Sequence, residues 1–484
     1  MASGRRALMN VFWLTLEPAV RLVVSIPLAG FVAGRLGLTG YGQFSLALSL
    51  SMAFVPLAHV GLNESLQRAV AQKPPEVSRL WSSVLAGKLV VVLLYVGLLA
   101  LLAVQLGYGT FQVSVVTLTS LYLGFTSFES TNRALFSGRQ EMKVLARLDL
   151  WKLAADVAVT VGVLGLGAGV LGYSWARVLL GAGGFLVALR VARRRFGVRL
   201  ERPAWQVLRP LLVPALSFLG IGLIRSFNAR SGVVVLDRLR GVEAVALYGA
   251  ALSIVDRLLV FLPAVEFALF PFFSAMAKED KGRFAGALAR AIRYELPLAT
   301  WLGLGVALGG PLLIRFVFPA GFAGVGPVLE ILGLALALRA LNGFLGAALS
   351  ARHLERGLAV ITFVQCAVNL SAAVWLAPGH GAVGLAWAAV VSEGMAVLAI
   401  GSLLGAHGYL GRVTWLPAAA AVGSGPLVFF GVRLLAPWLG SGPGAVLGAL
   451  AYLPLLLFVG GLSRGDVEYV RGLLTPSAGS AREP

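Results

Sequence analysis

One cysteine and four histidines leave this 484-residue sequence poor in the side chains that do most soluble chemistry. Cys366 can form no internal disulfide, and its place in an apolar run marks it as a small core hydrophobe. His59, His353, His380 and His407 are scattered, without H-E-x-x-H spacing, so no metal or nucleophilic site suggests itself and no cofactor is expected. No G-x-x-x-x-G-K-[ST] occurs, which argues against ATP hydrolysis by this chain. Gly167, Gly169 and Gly172 match G-x-G-x-x-G, but they lie in a turn between apolar runs with no preceding strand, and the match carries nothing. Charge is scarce too: 13% of residues are Asp, Glu, Lys or Arg, where soluble domains carry about 25%.

Apolar residues fill the gap. They make up 58% of the chain, and the mean hydropathy is +0.87. A soluble domain of this size cannot hide so much apolar surface. The composition therefore excludes a cytosolic enzyme, a disordered chain and a disulfide scaffold, and gives an all-α polytopic membrane protein. The net charge of +19 would suggest nucleic acid in a soluble protein. Here the basic residues gather in short segments between apolar runs, as anionic lipid at a cytoplasmic face favours. The expected partner is the lipid bilayer, not nucleic acid.

Crossing about 30 Å of hydrocarbon takes roughly 20 residues per helix. Fourteen runs qualify, near 10–34, 41–62, 82–106, 111–134, 147–166, 170–190, 211–236, 244–270, 291–317, 325–349, 357–376, 382–404, 413–435 and 443–462. The first follows Arg5 and Arg6 like a signal peptide. It is too long for one, contains Glu17, Pro18 and Arg21, and lacks a small-x-small cleavage site, so it reads as a retained span. Loop charge tests the count: with a cytoplasmic amino terminus, the even-numbered connections should be basic. They carry Arg68, Lys73 and Arg79, then Arg133, Arg139, Lys143 and Arg147, then seven arginines from Arg190 to Arg209, and so on to the tail. The odd connections offer Arg35, Arg238 and Arg240. Both termini are thus expected in the cytoplasm, and the short outer connections leave no extramembrane lobe for a soluble substrate.

An internal repeat divides the chain. Gly34-Arg35-Leu36-Gly37 precedes Tyr41-Gly42, and Asp237-Arg238-Leu239-Arg240-Gly241 precedes Tyr248-Gly249. In each copy an Arg-Leu pair closes one span and Tyr-Gly opens the next, on the same side of the membrane. The expected organisation is a six-helix lobe at 1–190, a basic cytoplasmic linker at 191–209 and a six-helix lobe at 210–404. An appended helix pair at 405–463 and a tail at 464–484 follow. Parallel repeats of this kind are typical of secondary transporters with a site between the halves.

An ionised group at the bilayer centre costs about 2.5–3.5 kcal/mol on insertion scales, so each should face a bundle interior or a wet cavity. Arg21 and Arg225 stand at similar depth in the two repeat copies, about 20 Å from the outer boundary at 1.5 Å rise per residue. With Arg230, Arg257 and Lys152 they are the candidate substrate-binding cations, because guanidinium stays charged and presents a planar fork to phosphate oxygens. Glu17, Asp156, Asp256 and Glu393 are candidate ion-coupling acids. The alternative is structural pairing: Glu17–Arg21 and Lys152–Asp156 both have i,i+4 spacing, and Asp256 or Arg257 can pair with a neighbouring span. Arg177 reads as a snorkelling residue near a span end.

The opening Arg6-Ala7-Leu8-Met9-Asn10, the span closing on Gly34-Arg35-Leu36-Gly37, then Tyr41-Gly42-Gln43-Phe44, and the second span ending at Val60-Gly61-Leu62 resemble the lipid-linked oligosaccharide flippases of bacterial polysaccharide biosynthesis. These belong to the multidrug/oligosaccharidyl-lipid/polysaccharide exporter superfamily. The resemblance implies two six-helix lobes, alternating access across the bacterial cytoplasmic membrane and a substrate of sugars on undecaprenyl pyrophosphate. It also implies polysaccharide polymerase and glycosyltransferases as partners, and it maps that family's deep basic residues onto Arg21 and Arg225. Two readings stay open beside it: a drug or organic-cation antiporter of the same superfamily, which should have an acidic, aromatic cavity, and a membrane-embedded polysaccharide assembly enzyme. Reporter fusions placed after Arg79 and after Arg199 should both report from the cytoplasm; both appearing outside the cell would overturn the topology.

Overall fold

Period-3.6 burial runs along the helices with both faces apolar. In the helix Val77–Gln105, Leu85, Lys88, Val92, Tyr95, Leu99 and Ala103 are buried. Leu89, Val90, Leu93, Leu94, Leu98, Leu101 and Val104 face outward at 43–68% exposure. A soluble helix would place polar residues on that outer face. One that spans a bilayer does not, and its backbone groups are satisfied within the helix.

The computed structural model describes residues 2–72, 76–259, 281–411, 413, 415–439, 447–448, 450–452 and 454–455. The described elements are α1 (Ala2–His59), α2 (Leu62–Ala71), α3 (Val77–Gln105), α4 (Thr110–Gly138), α5 (Met142–Gly165), α6 (Gly169–Phe196), α7 (Trp205–Arg240) and α8 (Val242–Leu258). Then come α9 (Lys281–Val317), a 3-10 turn (Ala320–Phe322), α10 (Val325–Ala351), α11 (Glu355–Ala406) and α12 (Trp415–Leu439). No strand occurs among the described residues. Eight of these helices are long and apolar enough to cross a membrane. Two of the eight contain a break: α1 at Gly37 and α11 at Gly381, each dividing what the sequence presents as two spans.

Differences from the sequence reading are local. The second span ends at His59 rather than 62, because Val60 and Gly61 both take positive φ, and the short helix α2 follows. Helix α6 runs on to Phe196, so the connection to α7 is narrower than 191–209. The end of the eighth span, most of the fourteenth and the tail at 464–484 fall outside the described residues.

The chain forms two compact units. The first comprises Met1–Val260, Val317–Val325 and Thr362–Ala388. Within it α4 packs on α6, α3, α1 and α2, while α1 packs on α7 and α8. Trp81, Phe136, Leu66 and Leu135 centre one apolar cluster, and Tyr95, Leu99, Val115 and Val116 centre another. The second unit comprises Phe261–Phe316, Gly326–Ile361 and Ala389–Pro484. Its core joins Phe284 and Leu288 of α9, Phe344 and Ala348 of α10, and Ile400 and Leu404 of α11.

The repeat has a backbone counterpart. Gly37 (φ 67°, ψ −179°) and Gly241 (φ 80°, ψ 178°) share a conformation that is essentially restricted to glycine. They stand 204 positions apart, as do Arg21 and Arg225, so each arginine lies 16 residues before an equivalent break. Substitution Gly241→Ala should destabilise the protein by about 1–3 kcal/mol. Gly34→Ala, in a helix with nothing within 4 Å of the new methyl, should be neutral or better. Thermal unfolding of the two variants in detergent separates them.

Candidate functional site: a charged network in the first unit

Helix α5 carries the densest charge of the long helices in the first unit. Asp149, Lys152 and Asp156 are spaced three and four apart and so lie along one side of it. Each is neutralised by a neighbouring helix. Asp149 pairs with Arg133 and Lys152 with Glu129, both on α4. Asp156 accepts from Nη1 of Arg177 on α6 at 2.7 Å. The Arg177 guanidinium also donates to the Tyr122 hydroxyl at 2.7 Å and lies over that ring.

Two expectations are corrected here. Lys152 and Asp156 do not pair with each other: this order of charges is the weaker one along a helix, and cross-helix partners are available to both. Arg177 is no snorkelling residue, because its charge is matched by Asp156 in the helix bundle. Glu129 and Asp149 were missed as intramembrane acids. Their signal was present, since an acid inside an apolar run is costly without a partner.

Within α1, Arg21 Nε donates to Glu17 at 2.7 Å, the i,i+4 pair the spacing allows, and the Arg21 side chain remains 44% exposed. Arg230 of α7 pairs with Asp256 of α8 at 2.7 Å. Arg257 donates to Ser25 Oγ of α1 at 2.9 Å and to the Ser253 carbonyl. Arg225 is exposed and has no side-chain partner among the described residues. Lys88 is fully buried, and its ammonium is held by Asn63 Oδ1 at 2.6 Å and the Ser127 carbonyl at 2.9 Å. Glu393 belongs to the second unit, where its carboxylate accepts from Asn342 at 2.5 Å.

Glu17, Glu129, Asp149, Asp156 and Asp256 each have one basic partner. Lys88, Arg225 and Arg257 have none with a carboxylate among the described residues. The excess within these helices is cationic. No group of His, Cys, Asp and Glu that could hold a metal occurs among the described residues.

A second polar cluster sits at the Gly241 end of α7. Tyr108, in the turn between α3 and α4, donates to Asp237 Oδ2 at 2.8 Å. Burial first, and then the adjacent carboxylate, hold its phenol well above the usual range, so it remains a donor. Arg238 stacks on the Tyr108 ring and donates to the Leu106 carbonyl. Arg240 donates to the Pro378 carbonyl beside the α11 break at 3.1 Å. Next to this cluster α1 and α8 run close together: a methyl on Gly42 would collide with the Val242 backbone, and one on Gly249 with Ser45.

Among the described residues the protein is an all-helical bundle with several helices apolar enough to cross a membrane, interrupted at paired glycines and carrying unpaired cations in its first unit. In solved structures it is similar to the lipid II flippase MurJ in an inward closed conformation, at TM-score 0.70 and 12% identity over 97% of this chain and 100% of that one. It is also similar to an inward-facing multidrug resistance MATE family transporter of the MOP superfamily, at TM-score 0.66 and 15% identity over 83% and 98%. A MOP superfamily transporter from Pyrococcus furiosus matches at TM-score 0.55 and 14% identity over 83% and 95%. At these identities the likeness is one of fold. No curated protein matches the sequence. The polysaccharide biosynthesis protein family does match, over residues 7–277, and the chain belongs to that family.

Removing one member of a buried pair strands the other, at about 3–5 kcal/mol. Asp156→Ala should therefore lower stability by that order, and Asp156→Ala combined with Arg177→Met should recover most of the loss. Additive losses in such a double-mutant cycle would contradict the pairing.

Proposed function

We propose that this protein is a flippase that carries an undecaprenyl-pyrophosphate-linked oligosaccharide across the bacterial cytoplasmic membrane by alternating access, for cell-surface polysaccharide biosynthesis. The observation that carries the reading is the charge imbalance inside the first unit. Glu17, Glu129, Asp149, Asp156 and Asp256 are each spent on one base, while Arg225 and Arg257 form no ion pair with a carboxylate among the described residues. Such groups suit a diphosphate: charge-assisted, planar and unable to lose their proton. An antiporter of organic cations would need the reverse, free acids in a cationic ligand's path. Family membership favours a glycan cargo.

The physical task is desolvation. A pyrophosphate and its sugars would lose their hydration in hydrocarbon at prohibitive cost. Arg225 and Arg257 replace water at the diphosphate, and Arg230 and Lys152 lie in the same unit, held by Asp256 and Glu129 until anion and acid compete for them. Arg21 is held by Glu17 in the same way. Glu17, Asp156 and Asp256, and Glu393 in the second unit, are the acids proposed for ion coupling. The polyprenyl tail remains in the bilayer, and polymerase and glycosyltransferases of the same assembly line work on the product and precursor.

The Tyr108–Asp237–Arg238 cluster and the close Gly42–Val242 and Gly249–Ser45 approaches hold α1, α7 and α8 together at the Gly37/Gly241 end, which in the proposed cycle must open. Release on that side requires them to part.

The test is complementation of a deletion strain, following which lipid-linked glycan accumulates on the inner face. Arg225→Ala with Arg257→Ala should cut export by at least about tenfold, the loss of one strong transition-state contact. Tyr108→Cys with Asp237→Cys, in a Cys366→Ala background, should block export when oxidised and restore it on reduction. Full export by the double-alanine variant at wild-type protein levels would overturn the site.

A further inference from the structure

The connection between α6 and α7 is built as a surface, not left as a tether. Helix α6 stops at Phe196, with Gly197 in the left-handed conformation (φ 67°), and the chain then runs without regular structure from 198 to 204. Three serines in the first two turns of α3 hold it there. The Arg199 amide donates to Ser78 Oγ at 3.2 Å, the Glu201 amide to Ser82 Oγ at 3.0 Å and the Ala204 amide to Ser83 Oγ at 3.0 Å. The Ser82 hydroxyl returns a bond to the Arg199 carbonyl at 3.3 Å. Val198 and Leu208 anchor the two ends in the Trp81–Phe136 core cluster.

Seven arginines lie between Arg190 and Arg209, with Glu201 as the one acid. Arg195 pairs with Glu141 at 3.1 Å. Arg190, Arg193, Arg194, Arg199, Arg202 and Arg209 are exposed and have no side-chain partner among the described residues. Beside them Leu200 is 57% and Trp205 64% exposed. The preceding helix, Gly169–Phe196, and the Leu219–Arg240 part of α7 are both apolar enough to cross a membrane, which puts the segment between two candidate spans. An exposed Trp and Leu interleaved with free guanidiniums is the pattern of a segment that inserts apolar side chains at the acyl boundary and meets phosphates above it.

We infer that the 193–209 segment is a docking surface for the headgroups of anionic phospholipids, with Arg194, Arg199 and Arg202 on the phosphodiesters and Leu200 and Trp205 seated in the acyl boundary. The occupant is a bilayer lipid rather than a free anion, because the apolar side chains stand among the arginines and would gain nothing from inorganic phosphate. A fixed backbone makes this surface stereochemically defined, unlike a loose polybasic tail, whose attraction to the membrane depends on charge alone. The inference is independent of what the protein carries.

The test measures lipid retention on full-length protein purified in neutral detergent, using fluorescent phosphatidylglycerol and phosphatidylcholine of equal chain length. Wild type should bind phosphatidylglycerol at least about tenfold more tightly, since each juxtamembrane arginine adds several-fold. Arg194→Gln, Arg199→Gln and Arg202→Gln together should bring the two lipids near parity. Trp205→Ser alone should weaken both. If the triple variant is poorly folded by thermal melting, the three single variants, each expected to lose part of the preference, replace it. An unchanged preference in well-folded variants overturns the inference. So does displacement of the lipid by millimolar inorganic phosphate at constant ionic strength, which would mark an anion site without lipid specificity.

Discussion

A charge inside hydrocarbon must be matched, solvated or absent, and the first unit of this protein is organised around that constraint. Five carboxylates of its helices, Glu17, Glu129, Asp149, Asp156 and Asp256, each take one basic partner, four of them on a neighbouring helix and one a single turn away. Those bonds fix which faces of α4, α5, α6, α7 and α8 meet. In a low dielectric such pairs do little for stability relative to an apolar core, but losing one partner is expensive. They specify the arrangement more than they strengthen it. What remains after pairing is a cationic excess, and that excess gives the proposed anion-handling site its sign.

Backbone geometry supplies the second constraint. Gly37 and Gly241 adopt nearly the same conformation, which side chains do not tolerate, and each ends one helical rod and begins the next. Helix α1 is thereby divided into two spans without a loop. Small residues at Gly42 and Gly249 then let α1 and α8 run almost backbone to backbone. Beside these glycines Tyr41, Leu46, Val245 and Tyr248 are buried. In the proposed cycle, that is the end that must open.

Much of the architecture was legible because the signals were redundant. Apolar run length, loop charge and turn glycines all mark the same boundaries, and α3, α4 and α10 fall within a few residues of them. The proposed repeat rests in the sequence on two weak dipeptides, and Gly37 and Gly241, 204 positions apart, share a backbone conformation. Partner choice was far less legible. Lys152 and Asp156 read as a pair on spacing alone, yet each bonds to a different helix, because one-dimensional spacing contains no information about what packs alongside. Arg177 looked peripheral for the same reason. Glu129 and Asp149 escaped notice although each sits within or beside an apolar run, where the cost of an unpaired acid demands a base nearby. The serine ladder under the 198–204 segment had no sequence signal, since serine in a helix is commonplace.

The central claim is that unmatched guanidiniums recognise a diphosphate. It is tested most directly in proteoliposomes containing the purified protein, by comparing translocation of one oligosaccharide carried on undecaprenyl pyrophosphate with the same oligosaccharide on a neutral polyprenyl glycoside. The pyrophosphate-linked form should cross at least about tenfold faster, the equivalent of one strong charge-assisted contact. Equal rates for the two lipids would contradict it.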